Sequence, residues 1–192
     1  MSDFKVKLPL WLRILYFITG IATIGFAVVV LINELIASPF IDGHLLLGIA
    51  IALISTMRIL NGIFDKRHDK WFRTFNLLIG LLVLPVGIIT IVWTSLDPFM
   101  LLSIIGLAIL LLGIVSIVNG FEDKNKVTSY KMSIILYGFI LVFLAAAVLI
   151  FDTQLDERSL LIMIDVAILL LGLRRLMEGI LNHRIFKQPK TQ

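Results

Sequence analysis

The chain has 192 residues, of which 59% are hydrophobic and only 16% charged, with a formal net charge of +4; an ordinary soluble domain is about 45–50% apolar. Its mean hydropathy of +1.05 indicates that water is not its main solvent. Cysteine is absent, which excludes a disulfide framework, a thiol nucleophile and a thiolate metal site.

The apolar residues fall in six blocks, and about 20 such residues cross a bilayer as a helix. The first block runs from Trp11 to Ile32; it exceeds the roughly 7–15-residue apolar core of a secretory signal, so it is read as retained. The second runs from Leu45 to Phe64, interrupted by Arg58, and the third from Trp71 to Trp93. The fourth covers Met100 to Phe121 and the fifth Met132 to Phe151. The sixth, Ser159 to Leu181, carries Asp165, Arg174, Arg175 and Glu178. These blocks are longer than barrel strands and lack their alternation. The expectation is an all-α polytopic membrane protein with six transmembrane helices, forming a single membrane domain over 1–192 with a cytoplasmic tail at 182–192.

Basic residues sort by alternate connections. Lys5, Lys7 and Arg13 precede the first helix; Lys66, Arg67, Lys70 and Arg73 lie between helices two and three. Lys124, Lys126 and Lys131 lie between helices four and five, and Arg184, Lys187 and Lys190 follow helix six. The other three connections hold Arg158 with Glu34, Asp42, Asp97, Asp152, Asp156 and Glu157. The positive-inside rule makes the basic side cytoplasmic, with both termini on the cytoplasmic side of the cell membrane. The same placement argues for topogenic anchoring beside lipid and against nucleic acid as a partner.

The even-numbered helices end in a repeat: Arg58-Ile59-Leu60-Asn61-Gly62-Ile63, Ser116-Ile117-Val118-Asn119-Gly120-Phe121 and Arg175-Leu176-Met177-Glu178-Gly179-Ile180. The odd helices repeat Trp11-Leu12-Arg13 with Gly20, Trp71-Phe72-Arg73 with Gly80, and Ser129-Tyr130-Lys131 with Gly138. The units, about 11–64, 71–121 and 129–181, are three parallel helical hairpins, so a pseudo-symmetry axis is expected along the membrane normal. Small residues recur at heptad spacing: Gly48, Ser55 and Gly62; Gly106, Gly113 and Gly120; and, after Asp165, Gly172 and Gly179. Seven residues is nearly two turns, so each set lies on one face and suits close helix packing. Gly20 and Ala27, Gly80 and Gly87, and Gly138 and Ala145 form a shorter version on the odd helices. Pro85 removes a backbone donor near the middle of helix three, where a kink is expected.

These features resemble the HdeD-like acid-resistance membrane proteins, most closely over Trp71 to Phe121 with Gly80, Pro85-Val86-Gly87, Asp97-Pro98, Gly106, Gly113 and Asn119-Gly120. The resemblance implies a small inner-membrane protein linked to survival at low pH, in a family with no established enzymatic activity and no catalytic residues to carry over.

Chemistry-bearing motifs are scarce. His44, His68 and His183 share no helix face or metal spacing and are read as solvated loop residues. There is no phosphate loop, dinucleotide fingerprint or nucleophile elbow, so neither an enzyme nor a cofactor or metal is expected. Asp165 stands where the other units have glycine, about 9 Å below the outer start of its helix. A carboxylate at that depth is costly unless protonated, paired or hydrated, and Arg158, seven residues earlier, is a candidate partner. Arg58, Arg174, Arg175 and Glu178 lie within about two turns of the cytoplasmic helix ends. There the basic side chains are expected to snorkel to headgroups, with Glu178 pairing to Arg174 or Arg175; facing inward, they would instead form a polar cluster suited to an anion or a gate.

The expected function is therefore a non-enzymatic multi-pass inner-membrane protein of acid or stress resistance, acting through oligomerisation or a membrane partner. The alternative is a small transporter or channel for protons or small solutes that uses Asp165.

Overall fold

The computed structural model describes residues 9–36, 43–65, 70–93, 96–122 and 128–180. Among them are six α-helices: α1 (Leu10–Ile36), α2 (Gly43–Phe64), α3 (Lys70–Val92), α4 (Pro98–Glu122), α5 (Thr128–Phe151) and α6 (Glu157–Ile180). At 22–27 residues, they measure about 33–41 Å, enough to cross a hydrocarbon core of about 30 Å. Five, α1 to α5, are also apolar enough to do so; α6 is the exception because its charges lie inside its length. Lys5, Lys7, Lys66, Arg67, Lys124, Lys126, Arg184, Lys187 and Lys190, with Asp42, His68 and His183, lie outside the described residues.

Local chemistry sets the helix starts. Pro98 opens α4, where its missing N–H costs nothing, and the Asp97 carboxylate accepts the Met100 N–H at 3.2 Å. Asp156 caps α6: its carbonyl accepts the Ser159 N–H at 3.1 Å, and its carboxylate accepts the Ser159 hydroxyl at 2.6 Å. That hydroxyl holds the Asp156 carboxyl below its ordinary value of 3.8. Pro85 stands inside α3 without ending it.

Burial divides the helices into two classes. Each odd helix buries a single stripe, for example Ile134, Gly138, Leu141, Ala145 and Val148 on α5, and turns Leu136, Phe139 and Phe143 outward. The even helices bury broader faces and supply most of the core, including Ile51, Ile54, Ile105, Ile109, Ile164 and Ile168. The closest partnerships are α2 with α3, α4 with α5, and α1 with α6. Packing is thus tightest between successive hairpin units, and the first helix closes onto the last.

Glycine makes these three partnerships possible. A methyl group built at Gly20 would lie 2.7 Å from the Leu176 nitrogen, at Gly80 3.0 Å from that of Ile59, and at Gly138 2.9 Å from that of Ile117. Leu176, Ile59 and Ile117 occupy one position of the sequence alignment, so aligned glycines meet aligned backbones. The even helices reciprocate. Gly48 approaches the Gly87 carbonyl, Gly113 the Gly138 carbonyl and Gly172 the Gly20 carbonyl, each at 3.1–3.2 Å from a built methyl. Gly62 lies against Arg73 and Leu77, Gly106 against Val148, Gly120 against Ile135 and Gly179 against Phe17. A side chain at Gly20, Gly62, Gly87 or Gly138, where a methyl would lie under 3.0 Å from neighbouring backbone, would force the helices apart, forfeiting the dispersion contacts that hold apolar helices together in lipid.

The basic residue of the odd-helix motif has a specific task. Arg13 Nε donates to the Gly179 carbonyl at 2.9 Å, and Arg73 Nε donates to the Gly62 carbonyl at 3.1 Å, with Nη2 reaching Ile63 at 2.6 Å. Each guanidinium thereby satisfies the orphan carbonyls at the end of the neighbouring even helix and complements its dipole.

Candidate functional site

The described polar groups gather at two levels of the bundle. One level is built from the C-terminal parts of the even helices. Arg58 on α2 is 3% exposed; its Nη1 donates to Asn76 Oδ1 on α3 at 3.1 Å, and its Nη2 has a long contact of 3.5 Å with the Leu112 carbonyl. The Asn76 amide is oriented by its own donation to the Phe72 carbonyl at 2.9 Å.

On α6, Arg174 spans two helices. Nη1 donates to Ser116 Oγ on α4 at 2.6 Å, and Nε donates to Glu178 Oε1 at 3.0 Å. Its guanidinium also lies over the Tyr137 ring of α5, 5.2 Å from the centroid, a cation–π geometry. Arg175 turns to the other side, 5.4 Å over the Tyr16 ring of α1 and 3.8 Å from Glu178 Oε2. The Tyr130 hydroxyl donates to Glu178 Oε1 at 3.5 Å. One carboxylate therefore serves both arginines of α6, through the i,i+4 and i,i+3 spacings together.

The expectation that Arg58, Arg174 and Arg175 snorkel to headgroups is corrected here. Arg58 and Arg175 are buried, and Arg174 keeps 14% side-chain exposure. The reason is positional: the even helices are innermost, so their C-terminal ends face amide, hydroxyl and carboxylate partners instead of lipid. Ser116 and Tyr130 enter the sequence pattern only as repeat positions, and Asn76, Tyr16 and Tyr137 belong to no motif. The available signal was the heptad spacing of Tyr130 and Tyr137 on one face of α5, and an isolated asparagine within the apolar run of α3.

The second level is Asp165, in the N-terminal half of α6. It is 1% exposed, and among the described residues neither carboxylate oxygen has a hydrogen-bond partner. Glu34 near the end of α1 is the group whose charge bears on it. The expected pairing with Arg158 is not present: Arg158 is exposed and its Nη2 points to the Leu35 carbonyl at 3.5 Å. Asp165 thus occupies the seam that its sister helices fill with Gly48 and Gly106, against α1 in place of α3 or α5. Along α6, nine residues, or about 14 Å, separate it from Arg174, and Ile168 and Leu171 are buried in between.

Of the histidines, His44 lies in the first turn of α2 with its Nε2 3.7 Å from Glu157 Oε1 and its side chain 20% exposed, a more enclosed position than a solvated loop. His68 and His183 lie outside the described residues. Among the described residues no group of three His, Asp or Glu side chains is placed to hold a metal ion.

No protein-family model, curated protein or solved structure matches the chain.

Proposed function

We propose that the chain is a six-span protein of the cell membrane, three parallel hairpin repeats with both termini in the cytoplasm, that contributes to acid or stress resistance without catalysing a reaction. Five apolar helices of spanning length support the membrane reading. So does the placement of Trp71 and Trp93 near the two ends of α3, both exposed. Their 22-residue separation is about 33 Å, the interval between two headgroup belts. The close partnership of α6 with α1 argues that the sixth helix crosses with the others, its charges turned inward. Equivalent glycine contacts in all three helix pairs support the repeat, and the alternate sorting of Lys and Arg supports the orientation.

The observation that carries the acid-response reading is Asp165, a carboxylate enclosed in the bundle with no hydrogen-bond partner. Taking up or losing a proton there changes the charge in the α1–α6 seam, where an unpaired charge is costly. The resemblance to HdeD-like proteins points the same way. The transport alternative draws less support, because buried aliphatic side chains, including Ile168 and Leu171, lie between Asp165 and the inner arginines.

Two measurements test this reading. The natural absence of cysteine permits single-cysteine labelling: Gln154→Cys should react with an impermeant maleimide from outside the cell, and Thr128→Cys only after permeabilisation. The reverse pattern would overturn the orientation. A deletion strain should survive acid challenge less well than its parent, with rescue by the wild-type gene and not by Asp165→Asn. Equal survival of deletion strain and parent would remove the acid-resistance role.

A further inference from the structure

We propose that the inner end of the bundle is a binding site for a phosphate-type oxyanion, held by Arg58 and Arg174 with the hydroxyl of Tyr137 as an additional donor. The charge balance motivates it. Arg58, Arg174 and Arg175 bear on one another electrostatically, with Glu178 as the acid that reaches them. Glu178 is already engaged by the two α6 arginines, so Arg58 has no carboxylate partner among the described residues. Among the described residues Glu178 is the one acid that bears on Arg58, and these three cations outnumber it in a region shielded from water, where charge without a counter-ion is costly.

The unsatisfied atoms say what would complete the cluster. Arg58 uses Nη1 for Asn76, while among the described residues Nε has no hydrogen-bond partner and Nη2 has the long 3.5 Å contact to Leu112. Nε and Nη2 form the side-on edge of the guanidinium, two nearly parallel N–H groups spaced to grip two oxygens of one carboxylate or phosphate. Tyr137 presents a second buried atom without a partner, its hydroxyl oxygen. That residue packs its ring beneath Arg174 and lies in electrostatic range of Arg58. The unpartnered atoms are therefore donors beside cations, which suit an anion and not a metal ion. The cluster is least enclosed at Arg174 and Glu178, which keep 14% and 17% side-chain exposure.

A tetrahedral oxyanion satisfies this set better than chloride, because it offers separate oxygens to the Arg58 edge, to Arg174 and to the tyrosine hydroxyl. The same chemistry is carried by free inorganic phosphate and by the phosphodiester of an anionic lipid headgroup reaching in from the inner leaflet.

The test uses the full chain in nanodiscs, with thermal unfolding as the readout. In phosphatidylcholine discs, sodium phosphate should raise the unfolding temperature saturably above sodium chloride at matched ionic strength if free phosphate is the ligand. If the headgroup is the ligand, discs containing phosphatidylglycerol should be stabilised relative to phosphatidylcholine alone. In either arm Arg58→Gln should weaken the response by roughly tenfold or more in the concentration required, since it removes a charge-assisted bidentate contact. Tyr137→Phe, which keeps the ring under Arg174, should weaken it severalfold and decides the matter if Arg58→Gln does not fold. No response of the wild type to either phosphate or phosphatidylglycerol, or responses unchanged in the variants, would overturn the site.

Discussion

Arg174 of α6 donates to the Ser116 hydroxyl of α4 at 2.6 Å, and that hydroxyl in turn donates to the Leu112 carbonyl at 2.7 Å. Leu112 is also the carbonyl that Arg58 Nη2 faces, so one turn of α4 connects the arginines of α2 and α6. Ser116 is aligned with Arg58 and Arg175 in the repeat, and a third arginine there would add a charge where the structure needs an acceptor. Ser116→Ala should therefore lower stability by about 1 kcal/mol, within the range of interhelical hydrogen bonds in membranes. Thermal unfolding in detergent would measure it; Ser116→Arg should be the more damaging of the two.

The glycine contacts predict a contrast within one helix pair. A methyl at Gly172 would lie 2.8 Å from Ile24 Cγ1 and 3.0 Å from the Ile24 nitrogen, whereas a methyl at Gly25 meets nothing within 4 Å. Gly172→Ala should cost about 1–3 kcal/mol through overpacking of the α1–α6 seam. Gly25→Ala should be neutral or slightly stabilising, since it removes backbone freedom from the unfolded chain. Equal melting temperatures for the two variants would contradict the close approach of α1 and α6.

Asp165 should be a site where stability is sacrificed. Replacing its enclosed, hydrogen-bond-free carboxylate by alanine should raise stability by about 1–3 kcal/mol. The same change should abolish rescue of acid survival, the trade expected where a residue is kept for function. A clear loss of stability in Asp165→Ala would instead place a counter-group against the carboxylate.

The cap of α6 should respond to acid in a definite direction. The Ser159 hydroxyl lowers the Asp156 carboxyl from its ordinary 3.8, so the folded state binds the proton less readily than the unfolded state does. Its contribution to the helix start is present above 3.8 and is lost as pH falls through the lowered folded value. Backbone NMR shifts of Ser159 and Leu160 should move in that acid window in the wild type. They should stay flat there in Asp156→Asn, which does not titrate.

Six helices are readable from composition because a bilayer accepts only segments that satisfy their own backbone, so long apolar blocks advertise themselves. The block from Trp71 to Trp93 and the observed Lys70–Val92 differ by one residue at each end. The glycine heptads are readable for a related reason: small residues are the means by which helices gain contact in lipid. Partner choice is not readable in the same way. An outward Phe143 and a core Leu141 have the same apolar character, since lipid and protein interior are alike as solvents, and so the pairing of α1 with α6 left no trace in hydrophobic pattern.

The polar side chains show the same division. Their position along each helix, and hence their depth, follows from residue number and a rise of 1.5 Å per residue. Their direction depends on residues distant in the chain: Arg58 turns inward because Asn76 is there to accept from it, and Arg158 turns away from Asp165 to a carbonyl 123 positions earlier. A charge in an apolar surround goes wherever a partner compensates its desolvation, and where that partner stands is a property of the assembled bundle.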